Sequence, residues 1–376
     1  MMSLRVLFAG LAISSLVVSA HEDHGHEQAY EFRHWEKASP DPDRVILTWT
    51  GDPATTQAVS WRTDTSVEMG FAEIALAAPT ARFDLKSERV VAISQNLDLS
   101  QDDRNAKIAA RYHTVEFEGL VPETLYAYRV GDGGERWSEW IQFQTASDKA
   151  APVEFLYFGD AQNSVLSHWS RIIRAAYKKA HFSIHAGDLI NRAHRDQEWA
   201  EWFKAGGWIH ASVPSIVVPG NHEYDRFSEA DVRQKELSLQ WGPQFALPLY
   251  DNLPEALRET AYYIDYQGVR IVALDSNREI EAQAVWLDKV LGENPHEWSV
   301  VTFHHPLFSS REGRNNSRNR AAWKPILDKH KVDLVLQGHD HTYARGHTPV
   351  RMTDGGSPKA VTTMYVNSVS GPKMYE

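Results

Sequence analysis

The chain of 376 residues contains no cysteine. Disulfide stapling, thiol catalysis and thiolate-bound zinc are therefore excluded, and stability must come from buried cores. It also lacks a long apolar run beyond its first residues. The opening MMSLRVLFAGLAISSLVVSA pairs a basic Arg5 with an apolar stretch and ends Val18-Ser19-Ala20. That pattern predicts a secretory signal peptide over residues 1–20, and the stretch is too short to span a bilayer comfortably. A secreted or periplasmic protein with no membrane attachment after cleavage is expected. Positive charge is scarce as well: 39 Lys and Arg stand against 50 Asp and Glu, a formal net charge of −11. Such a balance disfavours nucleic acid or anionic lipid as a partner. It also repels anionic small molecules at long range, so binding one requires concentrated local positive charge, such as metal ions supply.

Histidine and tryptophan, by contrast, are plentiful. Residues 21–39 are polar and rich in His, including His21, His24 and His26, and read as a loosely attached arm. A solvated tail is favoured over a metal trap there. Residues 40–146 contain short runs rich in β-branched and aromatic side chains, among them RVILTWT, QAVSWRT, FAEIALA, RVVAI, YHTVEFEGL, TLYAYRVG and WIQFQTA. Their number and spacing predict a two-sheet β-sandwich. The run EGLVPETLYAYRV resembles fibronectin type III domains, with Tyr126 at a corner. Trp49, Trp61, Trp137 and Trp140 are expected to pack in the core or between domains. Residues 147–152 form a linker.

From Val153 the pattern changes to strands alternating with helical segments (SHWSRIIRAAYKKA, RDQEWAEWFKAGGW, EAQAVWLDKVLG and RAAWKPILDKH), which predicts an α/β domain over 153–376. Five apolar, strand-like runs there end in metal-ligand side chains: FLYFGDAQN at Asp160, FSIHAGDLIN at Asp188, PSIVVPGNHE at Asn221 and His222, SVVTFHHP at His304, and DLVLQGHDH at His339 and His341. Ligands of open α/β sheets bind beyond the carboxyl ends of strands. Five such ends meeting in one crevice would build a two-metal hydrolytic site.

The order GD, GD, GNHE, V-x-x-H, GHDH resembles the calcineurin-like metallophosphoesterases, and within them the purple acid phosphatases. The resemblance covers roughly residues 150–370 and, more weakly, the region before. It implies a four-layer α/β sandwich behind an all-β domain, in a family whose members usually continue past the position of Glu376. It also implies two divalent or trivalent metal ions (Fe, Zn, Mn or Mg), Asp188 bridging both. The first would take Asp160, Asp188 and His341; the second, Asp188, Asn221, His304 and His339. A metal-bridged hydroxide would attack phosphorus, with Asp188 holding both metals and His222 protonating the leaving oxygen or binding phosphate. Glu223 and Asp340 are candidate orienters of the histidines.

Two positions depart from the family. The tyrosine whose phenolate binds ferric iron is replaced by Asn191, and a histidine found in other members by Gln162. Gln162 or Asn191 fills the gap through amide oxygen, or water does. The paired histidines expected soon after His304 are also missing. Arg311 and Arg314 stand there, either as a phosphate clamp or on a solvated loop. The activity implied is phosphomonoester hydrolysis of a small phosphorylated substrate. The alternatives are a phosphodiesterase or nucleotide pyrophosphatase with the same site, and a degenerate, non-catalytic binding protein.

Overall fold

The computed structural model describes residues 33–99, 108–225, 235–347 and 363–375. The signal peptide expected over 1–20 and the arm up to residue 32 lie outside the described residues. Two four-stranded antiparallel sheets make the first part. One orders Asp43–Thr48, Gln57–Thr63, Ile108–Phe117 and Ile93–Leu99; the other orders Glu88–Val91, Phe71–Leu76, Leu125–Gly131 and Ile141–Gln144. Inward-facing Leu47, Val59, Trp61, Ile74, Val115, Tyr128 and Phe143 fill the space between them. The Tyr126 hydroxyl accepts the Val121 amide at 3.0 Å, tying the corner five residues upstream as the sequence suggested.

The run RVVAI behaves differently from a single strand. Glu88–Val91 pairs with Phe71–Leu76, and the chain then crosses so that Ile93–Leu99 pairs with Ile108–Phe117 in the other sheet. Both are edge strands. Ile93–Leu99 alternates Ile93, Leu97 and Leu99 with Ser94, Asn96 and Asp98, but only Leu99 of that stripe is buried, as suits an edge strand.

The second part is a four-layer stack. Ser215–Val218, Phe182–Ala186 and Phe155–Phe158 form a three-stranded parallel sheet in that order. A six-stranded sheet runs Tyr262–Tyr266, Val269–Ala273, Trp298–Thr302, Leu334–Gln337, Met364–Asn367, Ala344–His347, with its first and last strands antiparallel to their neighbours. Strand alternation sets the layers. Ile184 shares a core with Ile264, Ile271 and Leu336 of the facing sheet, while its neighbour His185 lies against Trp169 and Trp202 of the helices Trp169–Ala176 and Asp196–Gly206. Val272, next to Ile271, turns the other way to Trp286, Leu287, Trp323 and Leu327 of Ile280–Gly292 and Ser317–His330. His185 bonds Ser183 Oγ at 3.0 Å through Nε2 only, and burial pushes its pKa down to about 3, fixing it as a neutral core residue.

The two parts meet over buried charge. Asp196 accepts from Arg44 at 2.7 and 2.8 Å and from Arg62 at 3.2 Å, all at or below 3 % side-chain exposure. Trp49 packs on Phe182 and Tyr266 across the same boundary, and Trp61 fills the sandwich core. Trp137 and Trp140 instead carry the guanidinium of Arg129 at 4.4 and 4.8 Å. No helix among the described residues is long and apolar enough to cross a membrane.

Candidate metal centre

Five parallel strands from the two sheets deliver their carboxyl ends to one crevice. Asp160 follows Phe155–Phe158, Asp188 follows Phe182–Ala186, and Asn221 and His222 follow Ser215–Val218. His304 follows Trp298–Thr302, and His339 and His341 follow Leu334–Gln337. The chain bends hard at these ends. Asp160, Asp188 and His339 hold φ of +48°, +53° and +70°, a left-handed conformation that non-glycine residues adopt at a cost. Gly187, at φ +84°, could not carry a side chain: a Cβ there would stand 2.6 Å from His304 Nδ1 and 2.7 Å from the Gly220 nitrogen. A Cβ on Gly220 would stand 2.1 Å from Asp188 Oδ1. The glycines permit the ligand loops to touch.

His304 donates Nδ1–H to the Ala186 carbonyl at 2.9 Å, which directs the Nε2 lone pair inward. That nitrogen lies 3.2 Å from Asp188 Oδ1, 3.2 Å from Asn221 Oδ1 and 3.2 Å from His339 Nδ1. Ligands about 2.1 Å from a common cation are spaced about 3.0–3.4 Å from one another. On the other side, His341 Nε2 lies 3.4 Å from Asp160 Oδ1, which is buried without a hydrogen-bond partner among the described residues. Asp188, His304 and His339 therefore could hold one metal ion, and Asp160, Asp188 and His341 another. Asp188 belongs to both groups. The donor set of carboxylate, amide oxygen and imidazole fits first-row divalent or trivalent ions.

Charge in the crevice points the same way. Burial alone would lower the pKa of His304, yet the carboxylates of Asp188 and Asp160 lift it to about 9. Asp188 resists its own burial and stays well below the usual carboxylate range beside His304 and His222. Burial raises Asp160, and the charge of Asp188 adds to that. His339 is driven down by burial and by the positive charge of His304, His305 and Arg314. Two carboxylates crowded this closely demand positive charge between them.

The remaining expected residues are placed as follows. His222 donates Nδ1–H to the Asn191 carbonyl at 2.7 Å, leaving Nε2 3.9 Å from Asp188 Oδ2. Gln162 Nε2 donates to Asp188 Oδ2 at 2.8 Å, so its amide N–H, not its oxygen, meets the shared carboxylate. Asn191 serves the site through its backbone carbonyl. Arg314 is tied to Asp340 Oδ1 at 2.7 Å and to the His339 carbonyl at 2.9 Å. Arg311 lies 4.9 Å over the ring of Tyr375, which stacks at 5.1 Å on His341. Neither Glu223 nor Asp340 orients a histidine as expected. Glu223 takes backbone amides of Asp188, Leu189, Ile190 and Gly220, and Asp340 takes Ser309, Ser310 and Arg314.

Three contributors escaped the sequence reading. Ser276 Oγ accepts the His305 amide at 2.9 Å and meets its Nδ1 at 2.8 Å. Asn277 Nδ2 donates to the Pro219 and Gly220 carbonyls at 3.1 and 3.3 Å, bracing the Asn221 loop. Tyr375 donates its amide to the His341 carbonyl at 3.0 Å. The first two follow the apolar strand Val269–Ala273, whose end reads LDSN; Asp275 there is a ligand-type residue, but it accepts from the Tyr224 hydroxyl and the Asn277 amide instead.

The chain belongs to the calcineurin-like phosphoesterase family, which its residues 154–343 match. Residues 42–145 match the N-terminal domain of purple acid phosphatases. Purple acid phosphatase 21 of Arabidopsis thaliana is 27 % identical over 248 residues, covering 63 % of this chain and 54 % of that protein. The chain thus spans about half the length of that relative. An uncharacterised protein of Mycobacterium tuberculosis is 25 % identical over 383 residues, 90 % of this chain and 69 % of its own length. A purple acid phosphatase from yellow lupin seeds superposes with a TM-score of 0.71 at 19 % identity over 88 % of this chain and 65 % of its own, which establishes the shared fold.

Proposed function

We propose that this chain is a dinuclear metal-dependent phosphoester hydrolase acting on phosphomonoesters. The observation that carries the reading is Asp188, common to both groups of ligand atoms. In this assignment Asp160, Asp188 and His341 hold the first cation, and Asp188, Asn221, His304 and His339 the second. Iron, zinc, manganese and magnesium are the candidates. When bound, the pair supplies Lewis acidity that offsets phosphate charge and makes water nucleophilic near neutral pH.

The chain's own residues do the rest. The Asn191 carbonyl takes the Nδ1–H of His222 and leaves Nε2 facing the crevice, where in the imidazolium form its N–H would bind phosphate or pass its proton to the leaving oxygen. Gln162 orients the shared carboxylate from its far oxygen. To act as the phosphate clamp Arg311 would have to leave the Tyr375 ring, which stands between it and His341, while Arg314 braces Asp340. A small phosphorylated substrate fits this reading, and the formal charge of −11 weighs against nucleic acid. Export to the periplasm or medium rests on the pattern of residues 1–20.

The test is hydrolysis of 4-nitrophenyl phosphate and bis(4-nitrophenyl) phosphate, before and after chelation and metal reloading. The monoester should be the better substrate, with activity lost on chelation and restored on reloading. Faster diester cleavage would move the assignment to a phosphodiesterase. Full metal occupancy with neither ester cleaved would favour the non-catalytic reading.

A further inference from the structure

A cavity of about 350 Å³ lies behind the metal-ligand loop, lined by Phe308, Ser309, Ser310, Gln337, Tyr365 and Asn367 together with the edge strand Ala344–His347. Its origin is legible in the register. Gln337 pairs with Asn367 and Asn367 with Ala344; Val335 pairs with Tyr365 and Tyr365 with Gly346. Directly paired residues point to one face of a sheet. On the face that carries Tyr365 and Asn367, the edge strand therefore presents only Ala344 and Gly346. A Cβ added at Gly346 meets no atom within 4 Å. The hollow exists because the two smallest side chains stand where larger ones would fill it.

The floor of this hollow is polar and unpaired. Gln337 is 1 % exposed and Asn367 5 % exposed, yet Gln337 Nε2 and Asn367 Oδ1 have no hydrogen-bond partner among the described residues. Asn367 is held in place from its other end, because Nδ2 donates to the Asp340 and Thr342 carbonyls at 2.7 and 2.9 Å. Leaving a buried donor and a buried acceptor unmet costs about 1–3 kcal/mol each. Phe308 and Tyr365 stand edge to face at 5.1 Å and 82°, so the wall is aromatic. Ser309 and Ser310 complete it while gripping Asp340 between the two ligand histidines.

We infer that this hollow is a binding site for a neutral planar ring bearing a hydrogen-bond acceptor beside a donor, as in an aryl carboxamide or a nucleobase. The acceptor receives the Gln337 N–H, the donor bonds Asn367 Oδ1, and the ring lies against Phe308 and Tyr365. Both protein groups are uncharged amides, so a neutral amide-like edge is their complement. The inference stands apart from hydrolysis, because binding is read without turnover.

The experiment is titration of the metal-loaded protein with benzamide, acetophenone and adenosine, followed by ligand-observed NMR and calorimetry. Benzamide should bind with a dissociation constant on the order of millimolar, as suits a fragment. Acetophenone, the same shape without the donor, should bind about tenfold more weakly. Gly346→Val fills the hollow without a clash and suits an edge strand; it should abolish binding while leaving the melting temperature and metal content unchanged. Ala344→Leu is the second filling variant, should Gly346→Val fold poorly. Adenosine binding that both variants abolish identifies a nucleobase as the occupant, and benzamide binding alone a smaller aryl amide. Failure of both probes to bind, equal affinity for acetophenone, or binding that survives both filled variants overturns the inference.

Discussion

The carboxylate of Glu223 accepts the backbone amide of Asp188 at 2.9 Å and, through the same oxygen, that of Gly220 at 2.7 Å. Its other oxygen takes Leu189 and Ile190 at 2.8 and 3.2 Å. One fully buried side chain thus fastens the loop that presents the shared carboxylate to the loop that presents Asn221. Glu223→Gln keeps the shape but turns one acceptor into a donor facing backbone N–H groups. A loss of about 1–3 kcal/mol per unmet amide is expected. Thermal melting should fall and metal retention during dialysis should weaken together. A variant that melts earlier yet keeps full metal would confine Glu223 to a purely structural role.

His222 is held by the Asn191 carbonyl with Nε2 facing the crevice. His222→Ala should retain both metals and lower kcat by about 10²–10⁴. The defect should shrink for esters with good leaving groups, which need little protonation. An equal defect across leaving groups would assign the imidazole to phosphate binding.

Asp196, with Arg44 and Arg62, gives the two parts of the chain a buried ionic seam. Burial alone would raise its pKa, but the two guanidinium groups hold it below the usual carboxylate value. A depressed native pKa contributes stability above the unfolded value of about 3.9, lost as pH falls through the native one. Asp196→Asn leaves buried cations poorly paired and should cost about 3–5 kcal/mol near neutral pH. The gap in melting temperature between wild type and variant should be flat above about pH 5 and close below about pH 4. A gap that persists unchanged into that acid range would contradict this account of the seam.

The position of the family's iron-binding tyrosine is Asn191, whose backbone carbonyl serves His222. Protein loaded with ferric iron should therefore lack the purple tyrosinate band. An intense visible band would show that another tyrosine reaches the metal, Tyr375 beside His341 being the first to substitute.

The strand ends that meet in the crevice were readable because each joins an apolar run to a side chain with distinct chemistry, as in FSIHAGDLIN or DLVLQGHDH. The alternation of Ile271 and Val272 between two cores likewise follows from strand period. What stayed hidden depends on contacts between residues far apart in the chain. Nothing local marks Arg44 as the partner of Asp196, 152 positions on. Asn277 looks like an ordinary turn residue until its amide is seen against Pro219 and Gly220. The strand Ala344–His347 is an exposed edge with no apolar stripe to announce it, whereas Ile93–Leu99 carries Ile93, Leu97 and Leu99 on one face and was simply not separated from the run before it. The motif also suggested that Glu223 and Asp340 orient histidines, whereas both bind loop backbone; a sequence gives the residue but not the direction of its side chain.

The most direct test of the central claim is the number of metal ions per chain in wild type and Asp188→Asn, measured by elemental analysis after identical loading. One carboxylate shared by two cations predicts two ions in the wild type and loss of much of both in the variant, because an amide oxygen carries no charge to divide between them. Two ions retained at full occupancy in Asp188→Asn, or a single ion in the fully loaded wild type, would contradict a centre bridged by Asp188.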